Sequence, residues 1–177
     1  NNPLKEWTFH AVSGAIASQK FGHGMGVGDV NGDGRLDILH KDGWFEQPAT
    51  DKEAWKARKF TFTARGGAQI FAYDVDGDGD NDVITSLAAH EYGLAWFEQL
   101  KGADGVATFK KHVIMGSTRR ENKYGVVFSE LHATGLHDMD GDGLKDIVTG
   151  KTYWSHHKKS SQWDAGAVVY WFKLVRG

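Results

Sequence analysis

The sequence predicts an all-β fold of short, repeated antiparallel strands, and three observations carry that prediction. The string DVNGDGRLD (29–37) returns as DVDGDGDND (74–82) and again as DMDGDGLKD (138–146). Each copy follows an apolar or aromatic run and precedes a β-branched or aliphatic one. An aromatic pair then comes: Trp44-Phe45, Trp96-Phe97 or Trp171-Phe172. Glycine is abundant, 23 of 177 residues, beside 7 Trp, 10 Phe and 5 Tyr. That composition suits strands joined by tight turns rather than a flexible tail.

The repeat unit reads as strand, acidic turn, strand, loop, aromatic strand, loop, strand. The first unit spans 21–63, with MGVG, ILH, the pair Trp44-Phe45 and a fourth strand from Trp55 to Phe62. The second spans 68–116, with IFAY, VITSLA, Trp96-Phe97 and Phe109 to Met115. The third spans 128–177, with ATGLH, IVTG and VVYWFKL, after which nothing is left for a fourth strand. Four short strands per unit, recurring every few tens of residues, predict the blades of a β-propeller in one domain spanning 1–177.

The strand missing from the third unit has a counterpart in residues 1–12. Trp7-Thr-Phe-His10-Ala-Val matches Phe109-Lys-Lys-His112-Val-Ile in spacing and type. This segment is expected to complete the last blade and leave no open sheet edge. Closed propellers usually have four to eight blades, so three call for more. Two copies would give six, residues 7–12 of one chain completing the blade that ends in 169–174 of the other. The alternative is a piece of a longer, seven-bladed protein.

The acidic turns have the spacing of a calcium loop. Carboxylates at positions one, three, five and nine, with a main-chain carbonyl at position seven, offer the oxygen shell that calcium takes, and glycine at position six allows the sharp bend. The expected ligands are Asp29, Asn31, Asp33, the Arg35 carbonyl and Asp37 in the first turn. In the second they are Asp74, Asp76, Asp78, the Asp80 carbonyl and Asp82. In the third they are Asp138, Asp140, Asp142, the Leu144 carbonyl and Asp146. Position twelve is His40, Thr85 or Thr149 rather than Glu, and the flanks are strand-like, which excludes an EF-hand.

On the strings GDVNGDGRLDIL, YDVDGDGDNDVI and HDMDGDGLKDIV the chain resembles the FG-GAP/VCBS family of calcium-binding propeller repeats. The resemblance implies three Ca2+ sites and an extracytoplasmic or secreted setting. It does not fix an activity, since the family holds adhesins, lectins, lyases and structural modules. GHGMGVGDVNGDGRLDIL and WFEQP are also similar to repeats of carbohydrate-active propellers of the aldos-2-ulose dehydratase type.

Several classes are excluded. There is no cysteine, hence no disulfide, thiolate zinc site or cysteine nucleophile. No apolar run approaches the ~18 residues of a membrane span, so no membrane insertion is expected. The formal charge is −2, and twelve aspartates lie in the three turns, eleven of them expected as side-chain ligands; three bound calcium ions would carry it to +4. Basic pairs are scattered over the surface, and nucleic acid is not indicated.

The acidic turns join first to second strands, so the opposite end of each unit is free for function. The distance from the first Asp of the turn to the aromatic pair grows from 15 residues through 22 to 33, so insertions accumulate at that end. Six of the nine histidines fall there: His23, His40, His90, His132, His156 and His157. His23 and His132 lead into the first strands of units one and three, and Gln69 holds the matching place in unit two. The expectation is that His23, His90 and His132 converge on a transition metal such as zinc, with Glu91, Glu130, Tyr92 and Tyr153 as acid/base partners. A lyase or dehydratase acting on a carbohydrate would follow. The rival is a non-catalytic module that holds a glycan or a protein, with the histidines bonded to main chain.

Overall fold

A computed structural model of the chain describes residues 6–14, 22–102, 105–154 and 158–177. Among these there is no α-helix, and eleven strands form three antiparallel sheets. The first sheet holds β1 (Met25–Gly28), β2 (Asp37–His40), β3 (Gly43–Glu46) and β4 (Lys56–Lys59) in that order. The second holds β5 (Phe71–Tyr73), β6 (Asp82–Ser86), β7 (Leu94–Lys101) and β8 (Ala107–Met115). The third has three strands, β9 (Thr134–His137), β10 (Asp146–Lys151) and β11 (Val168–Phe172).

Each sheet is pinned by the last aspartate of its acidic turn. Asp37, at the start of β2, accepts from Val30 N at 3.0 Å and from Gln47 N at 3.0 Å, the latter just past β3. Asp82 does the same with Val75 N at 2.9 Å and Gln99 N at 2.8 Å, and Asp146 with Met139 N at 3.1 Å and Leu174 N at 2.8 Å. All three carboxylates are buried. One side chain therefore ties the turn to the third strand, three times over.

The period-2 alternation of strands sorts the aromatic pairs onto opposite faces. Leu39 pairs with Trp44, and the two pack on Ile70, Val83, Phe97 and Phe109 of the second sheet. The second sheet's other face puts Ile84 and Trp96 against Ile147, Leu136 and Phe172 of the third. The tryptophan face of one sheet thus meets the phenylalanine face of the next. Main-chain contact between first strands is close: Ile70 N donates to Met25 O at 3.2 Å, and a Cβ at Gly26 would collide with the Ile70 carbonyl. Asn81 Nδ2 to Asp29 O (2.7 Å), Thr134 N to Gln69 Oε1 (2.8 Å) and Lys145 N to the Tyr73 hydroxyl (3.1 Å) add further links.

The expected strand at 7–12 does not form within the single chain. Trp7 is 99% exposed, and residues 9–12 instead run beside the loop from Gln47 to Trp55. The segment pairs with no strand among the described residues. The third sheet keeps three strands, and β11 is its edge.

Replacing the pin should destabilise the protein with or without metal. Asp37→Ala strands one buried and one half-buried N–H donor, at a cost of about 2–4 kcal/mol. In chelator-treated protein this is expected to lower Tm by roughly 5–15 °C; a Tm unchanged from the parent would show that the pin carries no weight.

Candidate metal centres

The acidic turns are shaped by their own main chain. Glycines at positions four and six of every turn, Gly32 and Gly34, Gly77 and Gly79, Gly141 and Gly143, have φ between 74° and 95°, a region that other residues occupy only at a cost. This bend aims N–H groups at the first aspartate. Asp29 accepts from Gly32 N and Gly34 N at 2.8 Å each, and Asp138 from Gly141 N at 2.7 Å and Gly143 N at 2.9 Å. The fifth-position carboxylates of Asp33, Asp78 and Asp142 accept from the seventh-position N–H of Arg35, Asp80 and Leu144 at 2.9–3.0 Å.

The remaining lone pairs converge. One oxygen from each of Asp74, Asp76 and Asp78 lies within 4.8 Å of the others, and the same holds for Asp138, Asp140 and Asp146. In the first turn Asn31 Nδ2 donates to Asp33 Oδ2 at 2.9 Å. Burial pushes the Asp82 carboxyl up to about 6, with Asp76 and Asp80 adding repulsion against its main-chain bonds. A divalent cation would relieve that strain, so the donor set fits calcium. Each turn also meets a basic side chain: Arg35 on Asp33, Arg176 on Asp74 at 3.5 Å, and Lys173 on both Asp140 and Asp142. The last contact holds the Lys173 ammonium protonated well above its usual range and pulls Asp142 down.

The second centre is built at the other end of the sheets. His23 leads into β1 and His132 into β9, while His90 follows β6, and antiparallel pairing puts these positions on the side away from the turns. The loops that carry them are stitched together. Tyr92 bridges Ser129, Glu130 N donates to Glu91 O at 3.3 Å, and Ala89 N donates to Gly66 O at 3.1 Å. Gly66, at φ 78°, passes so close to His23 that a Cβ would strike its carbonyl oxygen. Below them Ser86 Oγ accepts from Ala68 N at 2.6 Å and donates to the Leu131 carbonyl at 3.1 Å.

The three imidazoles meet with ring centroids 4.6–5.6 Å apart. His23 Nε2 and His90 Nε2 are 3.1 Å apart. That separation is the length of an N–H···N hydrogen bond between the rings, and it lies near the about 3.4 Å at which two nitrogens would stand on one tetrahedral zinc. Glu130 Oε2 lies 3.3 Å from His132 Nε2 and 3.8 Å from His90 Nδ1, and its side chain is buried. One ligand atom from each of His90, Glu130 and His132 falls within a 4.8 Å group. Glu130 has φ 65°, a strained value for a residue with a side chain, and its carboxylate is buried beside the imidazoles.

The sequence placed the three histidines together, and they are together. Glu130, expected as an acid/base partner, sits among the ligand atoms instead, where it can bind or orient the imidazoles. Glu91 and Tyr92 share the His90 loop, and Ser161 Oγ donates to Glu91 Oε2 at 2.6 Å. Tyr153 is exposed. His40 stacks on Phe45 and takes no part, burial holding its pKa down. His156 and His157 lie outside the described residues. Gln69, the counterpart of His23 in the second sheet, spends both its side-chain and main-chain oxygens on Thr134. Ser129, Ser161 and Ser86, which brace the loops, carried no sequence signal beyond being polar. No family model matches the chain, and no curated protein matches it significantly.

Proposed function

We propose that the three sheets are propeller blades, that their acidic turns hold calcium, and that the opposite end carries a zinc-class site serving a carbohydrate lyase or dehydratase. The observation that carries the reading is the meeting of His23, His90 and His132 over the buried Glu130, with two imidazole nitrogens 3.1 Å apart. Such an ion supplies Lewis-acid polarisation of a substrate carbonyl or a water of lowered pKa. The chain's own residues do the rest. Glu130 fixes the imidazoles, Glu91 is placed on the same loop to take a proton, and Tyr92 beside it to return one.

Carbohydrate is favoured as the substrate class by the exposed rings of Tyr153 and Trp154. They follow β10 at the histidine end, where aromatic faces suit sugar stacking. The same rings support the rival reading, a module that binds a glycan without changing it. Calcium loops of this kind work where calcium is plentiful, in keeping with an extracytoplasmic or secreted setting. Among the described residues no helix is long and apolar enough to cross a membrane.

After dialysis against a weak calcium chelator, the parent protein should retain or rebind about one zinc-class ion, measured by elemental analysis and calorimetric titration. His23→Ala, His90→Ala and His132→Ala should each weaken that binding by about 100-fold or more while calcium content stays intact. Full zinc affinity in all three variants would discard the site. Turnover of a candidate sugar by the parent, lost with Glu91→Gln, separates enzyme from module; binding without turnover favours the module.

Calcium has its own test. At free calcium 100-fold above Kd, one occupied site adds about 2.7 kcal/mol to stability. Asp76→Ala and Asp140→Ala should each remove roughly that increment, read as the difference in Tm with and without chelator. A melting temperature indifferent to calcium in the parent would refute the assignment.

A further inference from the structure

The joint between successive sheets occurs twice inside the chain, and its two halves are left open at the two ends. A tryptophan face of one sheet closes on a phenylalanine face of the next. The third sheet has the tryptophan half with nothing on it. Trp171 pairs with Val148 as Trp44 pairs with Leu39, yet Trp171 is 45% exposed where Trp44 is 1% exposed. The first sheet has the phenylalanine half uncovered. Its Met25 holds the place of Ile70, 45 residues on, and is 67% exposed where Ile70 is 1% exposed. Val27 and Phe45 share that face, by their spacing from Met25 and by pairing with the buried-face pattern of the second sheet.

We propose that a second copy of this chain docks head to tail, the third sheet of one against the first sheet of the other, with residues 7–12 adding a fourth strand to the partner's β11. The occupant follows from continuity with the two joints already made, since a copy offers the missing half at each open face. The segment is on the correct side for this. Ser13 and Gly14 line one pocket with His40, Phe45 and Ala57, and residues 9–12 line another with the loop from Gln47 to Trp55, so the segment lies on the side of the first sheet where the partner's third sheet would arrive. Trp7 and Phe9 are the exposed apolar side chains such a strand needs.

The register can be stated. In the second sheet Trp96 pairs with His112, whose ring stacks on it at 4.4 Å, and Gln99 pairs with Phe109. Residues 7–12 carry the same Trp/Phe-x-x-His spacing, so His10 is set opposite Trp171 of the other copy, and Trp7 takes the place that Phe109 fills. Because the contact is heterologous and occurs twice in a twofold pair, both open faces are covered together. This inference rests on the blade reading of the sheets and owes nothing to the metals.

Light scattering on the full chain at micromolar concentration should give about twice 19.6 kDa. Trp171→Glu and Met25→Glu, one on each half of the joint, should each yield monomer, and an equimolar mixture should recover dimer through its one intact joint. Recovery is the signature of a head-to-tail contact; a symmetric face-to-face contact would not show it. Since the chain has no cysteine, His10→Cys combined with Trp171→Cys should give, on oxidation, a covalent species of twice the chain mass. A soluble monomeric parent, a cross-link formed within one chain, or dimers indifferent to both charged substitutions would each overturn the proposal. Loss of zinc binding alone would leave it standing.

Discussion

Successive sheets meet through one kind of joint, and the rest of the molecule is arranged by it. Strand alternation throws the tryptophan of each aromatic pair to one side and the phenylalanine to the other. A sheet of four-residue strands can bury such faces only against another sheet, because its own strands are too short to fold over a core. Gly26 lets β1 approach the second sheet to main-chain contact, and Leu39, Trp44, Ile70, Val83 and Phe97 fill the space outside that line. Packing the sheets with their first strands close together has a consequence at one end. It gathers the lead-in loops of β1 and β9 and the loop after β6 into one place, and those loops carry His23, His132 and His90.

The pins explain why the acidic repeat is nine residues long. The first eight residues make the turn, and the ninth reaches back under it to hold both the turn and the strand beyond. The sequence showed four carboxylate or amide positions per turn and suggested that all four face a cation. The ninth is different in kind: Asp37, Asp82 and Asp146 are buried and each accepts two main-chain N–H bonds. Calcium can still use their spare lone pairs, but their first task is mechanical. Repetition alone could not separate these two duties, because both demand the same aspartate.

Much of the fold was legible because it repeats. The strand positions, the turn glycines and the fourth strands of the first two sheets follow from aligning three copies of one string. The segment at 7–12 was legible as a strand by its spacing and yet forms none, its residues lying against the loop from Gln47 to Trp55 rather than pairing with a strand. The histidine convergence was legible too, from equivalent positions at one end of each unit. Glu130 was harder. Its role depends on a backbone angle of 65° and on the Glu91 carbonyl that holds its N–H, and neither leaves a mark in the residue pattern.

The two kinds of centre are kept apart by the length of a strand. Four residues at about 3.3 Å each separate the acidic end from the histidine end by roughly 13 Å, more than the ~8 Å Debye length at physiological salt. Charge changes in the turns therefore reach the imidazoles weakly. The buried stretch between them is largely apolar, lined by Val83, Ile84, Leu94 and Ala95, and the buried hydroxyls of Thr85 and Ser86 donate to main-chain carbonyls rather than to one another. What does connect the ends is rigidity. A turn loosened at Asp82 frees Gln99 and with it β7, whose first residue, Leu94, packs beside Leu131 between Glu130 and His132. Coupling between the centres should thus travel through packing, and it should be felt as a change in how firmly the histidine loops are held rather than as a change in their charge.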